Sequence, residues 1–281
     1  MSCPSTIQEA DAAEFALIGL KGGVAHPSGY PLYCLLLRLV SVLSDVSHFV
    51  HLASLMSALF AAGAAYFCFL VAYRWVESLP YAALVTVCFS LSTPVWRVAN
   101  TIEPFALNLL LASIVVYMSL QDRRSRFDSL WLGLIFGCGF SNHHTLALLL
   151  PGLLYSRWPV SWQATRSFLW GFLLGLVPFV YVLMPSQATV LSWGEWSGRS
   201  GLSLGRDLLW HAFRGDYGTF NLSLGNQYSW QSWLVLWTNL PRFLSYLFVP
   251  TLVAGAWGVV RGLRGSDQKK HITLRFSRGE A

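Results

Sequence analysis

The chain has 281 residues, of which 54% are apolar and 11% charged, against roughly a quarter charged in a soluble domain. So little polar surface cannot coat a globule, which excludes an ordinary soluble domain and points to a chain that crosses a membrane several times. The net charge of +6 comes mostly from Arg, with no basic patch interleaved with aromatics, so no nucleic-acid partner is expected.

In chain order, the opening MSCPSTIQEA is polar and lacks the apolar run of a cleavable leader. Asp11 and Glu14 follow, three residues apart. On a helix both project from one face. There they are either a general base with its partner or ordinary solvated acids. The stretch HPSGYP holds two prolines and a glycine, which predict a stiff turn presenting His26 and Tyr30, or a plain turn where the chain meets the membrane. Pro31–Ser44 is apolar but short and broken by Arg38, so an interfacial helix is expected.

His51–Tyr73 is long enough to span, and Arg74 ends it. Tyr81–Trp96 and Pro104–Leu120 are shorter spans, joined by a loop carrying Arg97 and Glu103, whose bland reading is an ion-paired hairpin. After the basic run QDRRSRFD comes Phe127–Ser156, apolar but interrupted by Ser141–His144, SNHH. Polar groups at membrane depth are costly and usually functional or mutually paired. Asn142, His143 and His144 therefore read as hydrogen-bond donors to an anionic headgroup, or as a polar helix end. Adjacent histidines on one helix diverge by about 100°, which argues against a shared metal. Ser167–Met184 is apolar, 185–230 is polar and Trp-rich, and a last apolar block runs from Leu240 to Val260. Trp193, Glu195, His211, Arg214 and Tyr217 lie in the large loop, suited to a sugar, a peptide or a surface fold-over. The five cysteines form no C-x-x-C and read as small core residues.

Charge decides the topology. If Phe127–Ser156 is two short spans, seven crossings put twelve of the nineteen basic residues, including every dense cluster, on one side. Asp11, Glu14, His26, Arg97, Glu103, the SNHH segment and the 185–230 loop fall on the other. The expected fold is an all-α polytopic transmembrane helix bundle of about seven spans, with an outer-face loop carrying short helices. Its parts are an acidic outer loop with an interfacial helix (1–50), a transmembrane bundle (51–184), a large outer loop (185–235), a last transmembrane helix (236–262) and a basic cytoplasmic tail (263–281).

Five blocks in order carry a resemblance. DAAEF…GGVAHPSGYPLY resembles D-S-G-E-[FL]…L-G-V-A-H-P-P-G-Y-P-L-[YF], and PVWRVANTIEPFALN resembles W-x(5–6)-E-V-[FY]-x-L-N. GCGFSNHHT, LSWGEW and HAFRGDYGTF resemble G-L-[SG]-x-x-N-[QH]-H-T, W-G-D and H-x-x-R-x-x-Y-G-T-F. The set is similar to that of the transmembrane O-mannosyltransferases of the eukaryotic secretory pathway and their bacterial relatives, a GT-C-like glycosyltransferase family. Here the Ser-Gly of the first block is Ala-Ala, the second proline is Ser28, and W-G-D ends in Glu195. The family carries a transmembrane helix before the acid motif and continues past the last span, so a shortened chain is expected.

The resemblance implies transfer of a sugar, mannose, from a polyprenyl-phosphate or dolichyl-phosphate donor to a protein Ser/Thr hydroxyl, with inversion. It implies Asp11 as base and Glu14 as its partner, with Arg97, His143, His144, His211 and Arg214 at the phosphate. His26, Tyr30, Glu103, Asn142, Trp193, Glu195 and Tyr217 complete the donor and acceptor site. A phosphate leaving group needs no general acid, unlike the alkoxide of glycoside hydrolysis. No metal and no cofactor are expected. The partners are the bilayer, the lipid-linked sugar and the acceptor protein. The expected location is the endoplasmic reticulum membrane in a eukaryote or the inner membrane in a bacterium. The competing reading is a non-catalytic transporter or lipid-binding protein. It predicts inverted repeats and a polar path to both faces, and neither is visible in the sequence.

Overall fold

Ala10–Lys21, ADAAEFALIGLK, is made of strong helix formers, with Asp11 in its first turn and Lys21 in its last, each complementing the helix dipole. This is α1. Gly22 ends it with φ 79°, and its N–H bonds the Ile18 carbonyl at 2.8 Å. Glycine adopts that left-handed conformation without a Cβ penalty. The computed structural model describes residues 10–121, 125–157 and 161–183, with Leu209 and Ala212. The chain divides into two units, Met1–Phe220 and Asn221–Ala281, and every described residue lies in the first.

α2 runs Pro31–Leu43 and matches the expected short helix. Pro31 starts it, where a missing N–H costs nothing. Arg38, the charge that interrupts its apolar run, donates through Nη1 to the carbonyls of Gly19 at 2.9 Å and Leu20 at 2.8 Å. These are orphan acceptors at the C-terminus of α1, so the guanidinium caps one helix from the flank of another. Phe15, Ile18, Tyr33, Leu37 and Phe49 pack into one buried cluster that fastens α1 and α2 to the next helix.

That helix, α3, spans Val46–Val76. Its 31 residues measure about 46 Å at 1.5 Å each, more than a hydrocarbon core. Asp45 caps it, accepting from the His48 N–H at 3.1 Å. Leu55, Leu59, Tyr66 and Trp75 point outward from it, the pattern of a helix made to face lipid.

The expected span Tyr81–Trp96 is two helices, α4 (Leu79–Ser90) and α5 (Thr93–Ala99), bent by 65°. Pro94 supplies the reason. In a continuous helix its ring would clash with the Ser90 carbonyl, and it has no N–H to give. Arg97 therefore rides the last turn of α5, not a loop. α6 follows as Phe105–Ser119.

Phe127–Ser156 breaks where the polar residues stand. α7 covers Arg126–Asn142, opened by a capping box in which Ser125 and Asp128 satisfy each other's N–H. His143 is extended, a 3-10 turn covers His144–Leu149, and α8 runs Leu150–Arg157. α9, Trp162–Gly175, is capped by Ser161 and continues into a 3-10 turn, Val177–Leu183. α7 and α9 meet backbone to backbone. Gly133 and Gly137 face Gly171 and Gly175, and a Cβ at any of the four would strike the partner helix's main chain. Two G-x-x-x-G spacings thus permit the approach.

Every regular element among the described residues is helical. Two helical stretches there are long and apolar enough to cross a membrane, Val46–Val76 and Trp162–Val182, or three if the bent α4–α5 pair is one span. α2, α6 and His144–Ser156 are shorter apolar helices.

Candidate active site

The turn after α1 brings the chain back over its own first helix. Glu14 receives it through both carboxylate oxygens: Oε1 accepts the His26 backbone N–H at 2.8 Å, and Oε2 meets His26 Nδ1 at 2.7 Å. An ionised carboxylate only accepts, so a proton sits on Nδ1. The Tyr30 hydroxyl lies 3.2 Å from Nε2 of the same ring. The order is Tyr30, His26, Glu14.

The stiff turn expected at HPSGYP is what sets this register. Gly29 takes φ 87°, and its N–H closes on the His26 carbonyl at 2.8 Å. Tyr30 caps α2 at φ 45°, ψ 47°. A left-handed conformation costs an L-residue roughly 1–2 kcal/mol, held here by burial of the ring. Tyr30 is 4% exposed and meets Phe15 edge-on at a centroid distance of 5.4 Å. Phe15 also meets Tyr33 edge-on, which floors the cluster.

The second half of the site arrives from the break after α7. The His143 ring lies 5.5 Å from Tyr30 and 5.4 Å from Phe105. Thr145 donates to His143 Nδ1 twice, through its backbone N–H at 3.2 Å and its hydroxyl at 2.7 Å. A backbone N–H can only donate, so Nδ1 is the acceptor and the proton sits on Nε2. Asn108 Nδ2 reaches the Thr145 hydroxyl oxygen at 3.4 Å, leaving the hydroxyl proton to His143. Asn142, fully buried, donates to the Pro104 carbonyl at 3.0 Å and ties the break to the segment before α6.

His143 and His144 do not diverge. Their rings stack at 4.9 Å and 18°. The 100° expectation assumed a continuous helix, and His143 has left it, at φ −156°, ψ 121°.

Of the residues singled out in the sequence, Glu14, His26, Tyr30, Asn142, His143 and His144 come together. Asp11 sits one turn before Glu14 on the exposed side of α1, with no hydrogen bond among the described residues. Glu103 lies in the bend before α6, next to the carbonyl that Asn142 holds. Trp193, Glu195, His211, Arg214 and Tyr217 lie outside the described residues, as do the 185–230 loop, the Leu240–Val260 span and the basic tail. Sequence reasoning missed Thr145 and Asn108. Thr145 is part of the SNHHT block, but its importance shows only once His143 leaves the helix.

Residues 11–165, just over half of the chain, match the family described as the protein O-mannosyl-transferase TMEM260 N-terminal domain. Over 238 residues the chain is 31% identical to the protein O-mannosyl-transferase TMEM260 of Mus musculus, covering 79% of this chain and 33% of the mouse protein. Its identity to the Dictyostelium discoideum protein O-mannosyl-transferase tmem260 is 25% over 248 residues, covering 79% of this chain and 29% of that protein. The chain thus spans about a third of the length of these curated relatives. No solved structure matches it.

Proposed function

We propose, from the premise that the chain belongs to the TMEM260 N-terminal domain family, that it carries the catalytic pole of a membrane O-mannosyltransferase. The donor is a mannose on a polyprenyl phosphate, and the acceptor is a Ser or Thr hydroxyl of a protein. One observation supports this most. Two sequence blocks of the family, more than a hundred residues apart, meet at one set of hydrogen bonds and ring contacts: Glu14 with the His26–Tyr30 turn, and the Asn142–Thr145 break. A transporter or a passive lipid binder gives no reason for a carboxylate, two histidines and a tyrosine to be ordered in sequence at one end of a bundle.

The chemistry suits the groups. The acceptor oxygen attacks the sugar carbon and the phosphate departs from its other face, in one inverting displacement. The acceptor must lose a proton, and the acid pair Asp11 and Glu14 supplies the negative charge that draws it. The departing phosphate needs hydrogen-bond donors and positive charge. His143 and His144 are the candidates in this cluster, with Arg97, His211 and Arg214 expected from the sequence blocks. In the seven-span arrangement this pole faces the lumen or periplasm, where the acceptor protein arrives. The donor is the lipid-linked sugar itself, and no further cofactor is needed.

The test is a transfer assay in membranes with polyprenyl-phosphate mannose and a Ser/Thr-rich peptide. The wild-type chain should mannosylate the peptide. The double variant Asp11→Asn, Glu14→Gln should fall by about 10²–10⁴-fold, the usual worth of an acid–base group. Full transfer by the double variant, with the protein still folded, sinks the reading.

A further inference from the structure

Two histidines meet at this pole, and the hydrogen bonds around them suit opposite tautomers. Around His26 the fixed partners are the Glu14 carboxylate of α1 on Nδ1 and the Tyr30 hydroxyl, at the start of α2, on Nε2. Around His143 they are the N–H and hydroxyl of Thr145 on Nδ1, with His144 stacked on one face and Tyr30 and Phe105 beside the ring. His26 Nε2 thus faces the Tyr30 hydroxyl, and His143 carries its proton on Nε2.

We propose that the two rings are set for opposite tasks: His26, backed by Glu14, accepts the acceptor's proton through Tyr30, and His143, with Nδ1 filled by Thr145, donates a hydrogen bond to the departing phosphate. This rests on the transferase reading above and refines it, because the negative charge of Glu14 then acts through His26. Both oxygens of Glu14 already hold His26 and the Tyr30 hydroxyl faces Nε2, so an incoming hydroxyl reaches the ring through Tyr30.

The proton count closes. As the acceptor oxygen bonds the sugar carbon, the carbon–phosphate oxygen bond breaks and its electron pair leaves on the phosphate. The acceptor's proton passes to the Tyr30 oxygen while the Tyr30 proton moves to His26 Nε2. The imidazolium so formed pairs with Glu14 and later loses the proton to water. His143 keeps its own proton throughout, and Thr145 is a positioning residue that keeps Nδ1 occupied.

One substitution separates the two tasks. Glutamine places an amide near the position of imidazole Nε2. It can donate a hydrogen bond there but cannot take up a proton. With the full chain in lipid nanodiscs and polyprenyl-phosphate mannose as donor, His26→Gln should lose about 10²–10⁴-fold in kcat. His143→Gln should keep most of the rate, while His143→Ala loses about 10²-fold or more, the worth of one donor to a developing anion. Added imidazole should restore His26→Gly in part and leave His143→Ala unchanged. The tautomers are read without any activity or variant fold, from ¹⁵N shifts of the histidine-labelled wild-type protein: Nδ1–H for His26 and Nε2–H for His143. A proton on Nε2 of His26, one on Nδ1 of His143, a fully active His26→Gln, or a His143→Gln as slow as His143→Ala would each overturn the assignment. Absence of transfer by the wild type, with both tautomers as assigned, instead removes the transferase reading and the roles with it.

Discussion

Asn142 joins parts of the site 38 residues apart, through one hydrogen bond to the Pro104 carbonyl at 3.0 Å. Both groups are out of water, so removing the donor strands a buried acceptor, at a cost of roughly 1–3 kcal/mol. Asn142→Ala should lower the melting temperature in detergent. It should also slow transfer, because His143 is the next residue and hangs from the same anchor. A variant that melts as wild type would show that the break is held by other contacts. Cys34 makes the opposite point, that a chemically rich side chain can be inert. Its thiol is fully buried, donates weakly to the Gly29 carbonyl at 3.5 Å, and is pushed up by burial out of the range where thiolate forms. The sequence reading of the cysteines as small core residues holds at this position. The family resemblance made Asp11 the base and Glu14 its partner, and no spacing along the chain tied either acid to His26. Only the return of the chain over α1 selects Glu14 as the acid that orients His26.

At the scale of elements, the α7–α9 pair rests on absent side chains. A Cβ at Gly137 would strike the Phe172 carbonyl and crowd Gly175, and neither is a flexible atom that can swing aside. Gly137→Leu should separate the helices and destabilise the bundle by at least the ~1–3 kcal/mol of ordinary overpacking. Gly152→Ala on α8, where a Cβ meets nothing within 4 Å, should be neutral or slightly stabilising. Equal melting of the two variants would refute the close approach. The start of α3 is pH-sensitive for a different reason. Hydrogen bonds from the His48 side chain, Ser47 and the His48 N–H hold the Asp45 carboxyl below its usual value. A depressed folded-state value means the cap stabilises α3 above the unfolded-state value, about 3.9, and is lost as pH falls through the folded-state one. Amide exchange in the first turn of α3 should therefore quicken below about pH 4, and Asp45→Ala should show the quickened rate at neutral pH. Most elements were legible from apolar runs. The α4–α5 bend was also written in Pro94, but run length alone read it as one span.

At the scale of the whole molecule, the proposed seven crossings make a prediction that run lengths cannot check. Single cysteines at Glu77 and Ser125 should be labelled from the cytoplasmic face, and one at Asn100 from the opposite face. Labelling of Glu77 and Asn100 from the same side would make α4–α5 a re-entrant hairpin and end that arrangement. The sequence by itself determined a helical membrane chain, most of its long apolar helices among the described residues, the break at SNHH and the family. Apolar periodicity, prolines and short motifs are local properties, and they survive any rearrangement of the helices. Which acid faces His26, and that the SNHHT break meets the HPSGYP turn, were decided by the tertiary structure. Each of these depends on hydrogen bonds and ring contacts between groups far apart in sequence, with geometry set to tenths of an ångström, and no spacing along the chain encodes that.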